Sequence, residues 1–361
     1  MYMLKYKHLV MMLTMAVILG ENVSSSPLKY DTILSAKGVL LYNKKHIAPD
    51  TTTVIVEEWL FDREKNSPRI IIHIIDLKKR VKIASLIFDD ENGKGYMEGG
   101  GFVWLPSSEA FIYALTGDPN TLYKWSMSTK ASKEFLVRDG GISHISISPD
   151  GYNMSFLEYA HKEPPKLVLF NLKNELITVL DKDVDNVAPV WVDNDYLLYS
   201  KYNTIYYCDV FKCNASATVR SLDGVQILNI SGVFSGYVII VGIENSNDRS
   251  NANRCNNNVL LCYNDKIFVY ILEDKIYKKI IEYNASLPGV DVSNRYLIFP
   301  LLLKDGLSVI IKYDYINKML IPVMLDPGLY DLPVFVNNFN AIMLRKGKNE
   351  IILTTANPLP K

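Results

Sequence analysis

The feature that most constrains this sequence is a turn that recurs about every 44 residues. At residues 145–160 an alternating strand runs into Ser-Pro-Asp-Gly, and a second apolar strand follows it. Pro149 presets φ, Asp150 can bond its own backbone and Gly151 tolerates positive φ, so the stretch predicts a β-hairpin. Comparable turns begin at residues 49, 106, 149, 193, 235, 293 and 337, in steps of 57, 43, 44, 42, 58 and 44. Blades of four-stranded propellers have this period, about 40–50 residues.

The rest of each unit supplies further strands, such as KLVLFNL and ELITVL after the hairpin of the third unit. The two long steps contain polar insertions at residues 89–101 and 244–258, and the second of these is rich in Asn. The last unit has only three strands, and the segment KYDTILSAK at residues 29–37 can supply its fourth. Since a propeller must close its ring to cover sheet edges, the sequence predicts an all-β, seven-bladed β-propeller of four-stranded blades, with the N-terminal strand closing the last blade.

The third unit resembles a known repeat. Its pattern is a strand, Ser-Pro-Asp-Gly, a second strand, and a Leu-rich strand pair around a short polar turn. This pattern is similar to the repeat of TolB-type propellers in the broader WD-like family, whereas the other units match by rhythm only. TolB itself resembles a six-bladed propeller preceded by an α/β domain. Because seven units are counted here and no room is seen for that domain, the partnership with the Tol machinery is not carried over. The repeat also resembles the propeller of prolyl-oligopeptidase-like hydrolases, but no hydrolase domain is expected here.

Composition agrees with a folded β-domain and argues against nucleic acid as a partner. Hydrophobic residues make up 48% of the chain and charged residues 22%, which is enough apolar material for a core and too little charge for disorder. Lys plus Arg and Asp plus Glu are both 39, so no global field steers the chain to polyanions. We expect residues 21–361 to form a single propeller domain and to be monomeric.

The N-terminal segment has the layout of a secretory signal peptide. Lys5 and Lys7 precede a 12-residue apolar run, and polar ENVSSS follows it. The sequence therefore predicts a signal peptide at residues 1–20, cleavage after Gly20, and a secreted, extracellular or periplasmic protein. The alternative is a membrane anchor through an uncleaved leader, although the run is shorter than the ~20 residues that span a bilayer.

Export changes the interpretation of the four cysteines, because an oxidising compartment favours disulfides. Local pairs are favoured, Cys208 with Cys213 across a hairpin and Cys255 with Cys262 beside the Asn-rich loop. The crossed pairings, which would tie the fourth unit to the insertion in the fifth, remain open. The spacings C-x4-C and C-x6-C, with no His nearby, are poor for zinc.

Five Asn-x-Ser/Thr sequons occur, at Asn22, Asn153, Asn214, Asn229 and Asn284. Asn153 and Asn229 are predicted to lie on or beside strands. Only Asn214 and Asn284, which are expected in connections, are therefore candidate glycosylation sites.

The familiar catalytic motifs are missing from the sequence. There is no G-x-S-x-G, phosphate loop or H-E-x-x-H. Glu57 and Glu58 are consecutive on a predicted strand and should point to opposite faces of its sheet. His73, inside IIIHIID, is interpreted as a satisfied core residue. His144 is placed on an innermost strand near the channel, again with a structural role.

One acidic segment resembles the first half of a calcium loop. DKDVDN places Asp181, Asp183 and Asp185 at alternate positions. The match then fails, because Asn186 replaces the expected Gly and Val192 stands where a bidentate Glu belongs. The three carboxylates are still candidate ligands for a calcium ion. No other cofactor is expected.

The same carboxylates belong to a wider pattern. Asp139, Asp223 and Asp326 occur in the equivalent connection of other units, and in a propeller these connections gather on one face. The pattern predicts an acidic rim that binds a cation or a cationic ligand, although Asp also simply favours turns. The sequence favours a non-catalytic propeller that binds an unidentified protein, peptide or glycan on this face. The alternative is a lyase or glycoside hydrolase acting at the channel mouth.

Overall fold

The computed structural model describes residues 30–355 except 43, 63–66, 90–100, 116–117, 161, 213, 218–224, 235–236, 245–264, 274–275, 286–290, 294–295, 303–306, 315–316, 318, 324 and 337–340. These residues form seven four-stranded antiparallel sheets and a short 3₁₀ helix at Lys44–His46. The all-β propeller predicted from the sequence is confirmed. Among the described residues, no helix has the length and apolarity that a membrane crossing requires.

Six sheets consist of four consecutive strands, and we call these blades. From the inner to the outer strand they are blade 1, β2 (Val39–Leu41), β3 (Thr53–Asp62), β4 (Ser67–Asp76) and β5 (Val81–Asp89); blade 2, β6 (Phe102–Trp104), β7 (Ala110–Leu115), β8 (Asp118–Ser126) and β9 (Ala131–Val137); blade 3, β10 (Gly141–Ile147), β11 (Asn153–Tyr159), β12 (Lys166–Asn171) and β13 (Ile177–Lys182); blade 4, β14 (Val190–Trp191), β15 (Tyr196–Lys201), β16 (Thr204–Asp209) and β17 (Asn214–Ala217); blade 5, β18 (Val225–Phe234), β19 (Tyr237–Glu244), β20 (Asp265–Glu273) and β21 (Ile276–Ala285); and blade 6, β22 (Asp291–Ser293), β23 (Tyr296–Leu302), β24 (Ser308–Asp314) and β25 (Met319–Val323).

The remaining sheet combines the two ends of the described chain, and we call it the closing sheet. Its strands are β26 (Tyr330–Val336), β27 (Ala341–Lys346), β28 (Glu350–Thr355) and the N-terminal β1 (Tyr30–Ser35). With a blade defined as four consecutive strands, the described chain has six blades and a composite closing sheet, not the seven blades expected from the turn count. The reason is that, in the part of the chain that the structure describes, β27 and β28 follow the last turn and the fourth strand of this sheet is β1.

The inner strands β6, β10, β14, β18, β22 and β26 contact one another in succession, which places them around the centre of the ring. Apolar layers fill the spaces between neighbouring sheets. Val54 and Val56 of β3 pack toward the closing sheet, whereas Ile55 packs against blade 2. Because successive strand residues face opposite sides, central strands buried on both sides are apolar throughout, as in β7.

Neighbouring blades are also joined by hydrogen bonds at the turns that set the sequence period. The Asp50 backbone N–H donates to Ser108 Oγ at 3.0 Å, and the Asp150 N–H donates to Asn194 Oδ1 at 3.0 Å. Gly151 adopts φ of 75°, as the hairpin prediction requires. A Cβ there would also lie 2.9 Å from a Pro106 ring carbon, so the turn needs glycine for both space and conformation.

Both glycosylation candidates lie on strands. Asn214 begins β17, and Asn284 lies within β21 opposite Lys266. The expectation that they lie in connections is therefore wrong, because these outer strands extend further than their apolar residues suggested.

The cysteine prediction is only partly covered by the described residues. Cys208 is buried on β16, and its strand partner is Ala215 rather than Cys213. The reasoning that Cys208 and Cys213 face each other across the hairpin therefore does not match the register. Cys213, Cys255 and Cys262 lie outside the described residues, so the disulfide pairing stays a prediction.

Candidate functional site

Four of the six predicted acidic residues, Asp139, Asp183, Asp185 and Asp326, lie in the connections that lead from the outer strand of one blade to the inner strand of the next sheet. We call the side of the ring that carries these connections the entry face. Antiparallel strands return the chain to this side at every second connection, so the β15–β16 turn also lies on it. Asp139 follows β9, Asp326 follows β25, and Asp181 lies in β13. Asp223 lies outside the described residues.

Asp181 of blade 3 forms an ion pair with Lys201 of blade 4. Its Oδ1 accepts a hydrogen bond from Lys201 Nζ at 2.8 Å, and its Oδ2 accepts one from the Tyr199 hydroxyl at 2.6 Å. Burial opposes ionisation, but the hydrogen bonds from Lys201 and Tyr199 outweigh it and lower the pKa of Asp181. The pKa of Lys201 is raised: burial opposes its charge, but the bond to Asp181 prevails. Asp181 is therefore a charged residue whose counter-ion belongs to the protein.

Asp185 stabilises the β15–β16 turn. Its Oδ1 accepts from the Tyr202 N–H at 3.0 Å, and its Oδ2 accepts from the Asn203 N–H at 2.8 Å and from the Ser200 hydroxyl. Tyr202 and Asn203 have φ of 52° and 55°, a left-handed conformation that costs energy for residues other than glycine. The carboxylate of Asp185 offsets this cost by binding the exposed amides of the turn.

The other described members of the acidic rim face solvent. Asp139, Asp183 and Asp326 are exposed. Asp183 lies close enough to Lys201 to help raise the pKa of that lysine. Within the described ranges, no three His, Cys, Asp or Glu side chains are arranged to hold a metal ion, so Asp181, Asp183 and Asp185 do not form a preorganised calcium site.

A polar cluster beside these carboxylates was not predicted as a unit. Asn186 Oδ1 accepts hydrogen bonds from His144 Nε2, at 2.7 Å, and from the Tyr159 hydroxyl. His144 comes from the inner strand β10, Tyr159 from the end of β11, and Asn186 from the β13–β14 connection. Sequence reasoning placed His144 near the channel but missed its partners, because strand pairing and not sequence spacing brings them together.

The positive φ of His144 belongs to a β-bulge of its strand. His144 has φ of 52° within an irregularity of β10 between Ser143 and Ser146. Leu332 has φ of 48° at a similar irregularity of β26. Because an apolar residue adopts the same conformation in another inner strand, we attribute this strain to inner-strand bulges and not to His144 chemistry.

Comparisons with known proteins agree with this fold. No protein-family model matches the chain, and no curated protein matches it by sequence. Among solved structures, oligogalacturonate lyase from Vibrio parahaemolyticus aligns with a TM-score of 0.57 at 10% identity, over 93% of this chain and 99% of that one. The β-propeller domain of Cps50 (Swd1) from Myceliophteria thermophila aligns with a TM-score of 0.54 at 10% identity, over 91% and 100%.

These two neighbours support the propeller fold, and no comparison shows the TolB-type family itself. TolB from Acinetobacter baumannii aligns over 85% of this chain and 80% of its own, at 13% identity, but its TM-score of 0.39 carries no argument for a specific relationship. The neighbours include a lyase, so likeness of fold does not separate binding proteins from enzymes. The chain therefore has the β-propeller fold, and its function must be argued from its own residues.

Proposed function

We propose that this chain is an exported propeller that binds a protein, peptide or glycan on its entry face. The observation that carries the proposal is the junction of blades 3 and 4, where one connection carries both exposed Asp183 and Asn186, the residue that accepts hydrogen bonds from His144 and Tyr159. Carboxylate, imidazole, phenol and amide groups together offer hydrogen bonds and charge to a polar ligand.

The charge of this junction favours a cationic group in the ligand. Lys201 compensates one carboxylate, Asp181, whereas Asp183 and Asp185 add negative charge close by. A basic side chain of a ligand would find in exposed Asp183 an opposite charge with which to pair. Export is proposed from the N-terminal leader, which lies outside the described residues.

The proposal is tested by thermal unfolding in a titration with hexalysine, with calcium chloride as a second titrant. A ligand at about 100 times its Kd should stabilise the folded ring by roughly 2.7 kcal/mol. We expect hexalysine to raise the melting temperature, and Asp183→Asn to reduce that increase.

The matched control is Asp195→Asn, because Asp195 is also exposed and lies in the β14–β15 turn on the opposite face. If Asp183→Asn and Asp195→Asn show equal increases in melting temperature, the proposed binding face is contradicted. It is also contradicted if neither hexalysine nor calcium chloride raises the melting temperature of the wild type.

A further inference from the structure

Blade 1 brings a serine, a histidine and a glutamate into a chain of hydrogen bonds. Glu58 lies on β3, His73 on β4 and Ser85 on β5. His73 is the strand partner of both Ser85 and Val56, and Glu58 lies two residues beyond Val56 on the same side of the sheet. Strand register, rather than sequence proximity, therefore aligns the three side chains.

Glu58 is held as a carboxylate in a fixed orientation. Its Oε1 accepts hydrogen bonds from the backbone N–H groups of Lys37 at 3.0 Å and Gly38 at 2.9 Å. Its Oε2 lies 2.8 Å from His73 Nε2. Burial alone would raise the pKa of Glu58, but the bonds from His73 and the two amides lower it. Glu58 is therefore ionised at neutral pH and can only accept hydrogen bonds.

The carboxylate selects the tautomer of His73. Because Glu58 accepts, the proton of neutral His73 resides on Nε2, and Nδ1 keeps its lone pair. Nδ1 lies 3.2 Å from Ser85 Oγ, so the Ser85 hydroxyl donates to it. This distance lies within the range of a nucleophile and its general base.

In a nucleophilic site the base is buried and the nucleophile is accessible, and the three residues differ in exposure in this way. His73 and Glu58 are only 5% and 6% exposed, whereas Ser85 is exposed. β5 is the outermost strand of its sheet in the described part of the chain. Alternate N–H groups of such a strand point away from its partner and can donate to an oxyanion. A buried base thus faces the hydroxyl of an exposed residue.

We propose that Ser85 is the nucleophile of a hydrolytic site for small esters on the outer flank of blade 1, with His73 as its general base and Glu58 as a positioning residue. This site is separate from the entry face and independent of the binding proposal. Sequence reasoning considered Glu58 and His73 separately and did not connect them with Ser85, because Glu58 and His73 are 15 residues apart, His73 and Ser85 are 12 apart, and no nucleophile motif surrounds Ser85.

The chemistry requires an ester and water. Ser85 Oγ attacks the ester carbonyl carbon while its proton passes to His73 Nδ1, and the ester C–O bond then breaks as that proton is given to the departing alcohol. Water, deprotonated by His73 Nδ1, attacks the acyl-serine. The carboxylic acid is released, and the proton returns to Ser85 Oγ.

The first test is labelling with a fluorophosphonate, in which a Ser85 Oγ–P bond forms and fluoride leaves, together with hydrolysis of p-nitrophenyl acetate. We expect the label on Ser85 and loss of both reactions in Ser85→Ala. The matched control is Ser132→Ala, because exposed Ser132 on β9 has a Tyr113 hydroxyl, 2.8 Å away, in place of a histidine. Labelling of Ser85 no faster than of Ser132 would overturn the proposal.

The second test asks whether Glu58 positions His73 for catalysis or only stabilises the fold. In Glu58→Gln, the amides of Lys37 and Gly38 hold the Gln oxygen, so the Gln NH₂ faces His73 Nε2 and moves the imidazole proton to Nδ1. We expect labelling to slow by about 10²-fold or more, and the ¹⁵N shifts of His73 to report the exchanged tautomer. Unchanged labelling in a variant that has changed tautomer would show that the three residues are only a structural polar ladder.

Discussion

Removal of the Arg345 side chain should weaken the junction between the closing sheet and blade 1. Arg345 Nε and Nη2 donate to the Asp331 carboxylate at 2.7 and 2.5 Å, and Nη1 donates to the Leu40 carbonyl at 2.8 Å. Arg345 is 0% exposed and Asp331 is 2% exposed. Arg345→Met keeps much of the side-chain volume but leaves a buried carboxylate and a buried carbonyl without these donors.

The expected cost follows from that burial. Breaking a buried ion pair by removing one partner costs about 3–5 kcal/mol. At roughly 2 °C per kcal/mol for a large domain, the melting temperature should fall by about 6–10 °C. Differential scanning calorimetry of the wild type and the variant measures this directly.

The loss should depend on pH. Burial raises the pKa of Asp331 despite the opposing hydrogen bonds and charge of Arg345, and removing Arg345 raises it further. A carboxyl whose pKa is higher in the folded state than in the unfolded state favours folding below its unfolded pKa, and this contribution is lost as the pH rises through the folded pKa. The variant should therefore lose more stability at pH 8 than at pH 5.

Two further variants make the result interpretable. Arg345→Met with Asp331→Leu should recover most of the lost stability, because no buried charge remains. Arg138→Met breaks the pair with Glu158, in which the arginine is 23% exposed, and should cost less. If Arg345→Met costs no more than Arg138→Met, or its cost does not change with pH, the reasoning is refuted.

Two other predictions concern close packing and export. Gly140→Ala should destabilise the protein by about 1–3 kcal/mol, because the new Cβ would lie 2.6 Å from the Tyr159 carbonyl oxygen. Gly141→Ala is the control, since the nearest atom to a Cβ there is 3.5 Å away. Equal melting temperatures of the two variants would contradict this prediction. N-terminal sequencing of exported protein should find a start near Glu21, and an intact Met1 would favour an uncleaved anchor.

The sequence predicts local features of the fold well. Pro149, Asp150 and Gly151 carry the information for their turn within four residues, so the hairpin could be located without tertiary structure. The N-terminal segment could be assigned to the last unit because that unit lacked a strand. Asn284 was misplaced because its strand β21 contains many polar residues, and ladder pairing rather than apolar pattern sets its length.

The sites were less predictable for a physical reason. The spacing of Asp181, Asp183 and Asp185 suggested a shared ligand, but Tyr199, Lys201 and the β15–β16 turn bind two of these carboxylates. These partners come from the next blade, so the spacing within one connection does not reveal them. The serine, histidine and glutamate of blade 1 likewise meet only through the register of β3, β4 and β5.

The central structural claim is that the N-terminal strand closes the ring by pairing with β28, and cysteine cross-linking tests it most directly. Ser35 and Glu350 are strand partners. Cα atoms of such partners lie about 4.5–5.5 Å apart, within the range that a disulfide spans. After mild oxidation of Ser35→Cys/Glu350→Cys, we expect peptide mapping to find the two new cysteines joined, and not in a control that carries Ser35→Cys/Ala131→Cys. Absence of the 35–350 linkage, or equal cross-linking in the control, would contradict the closure.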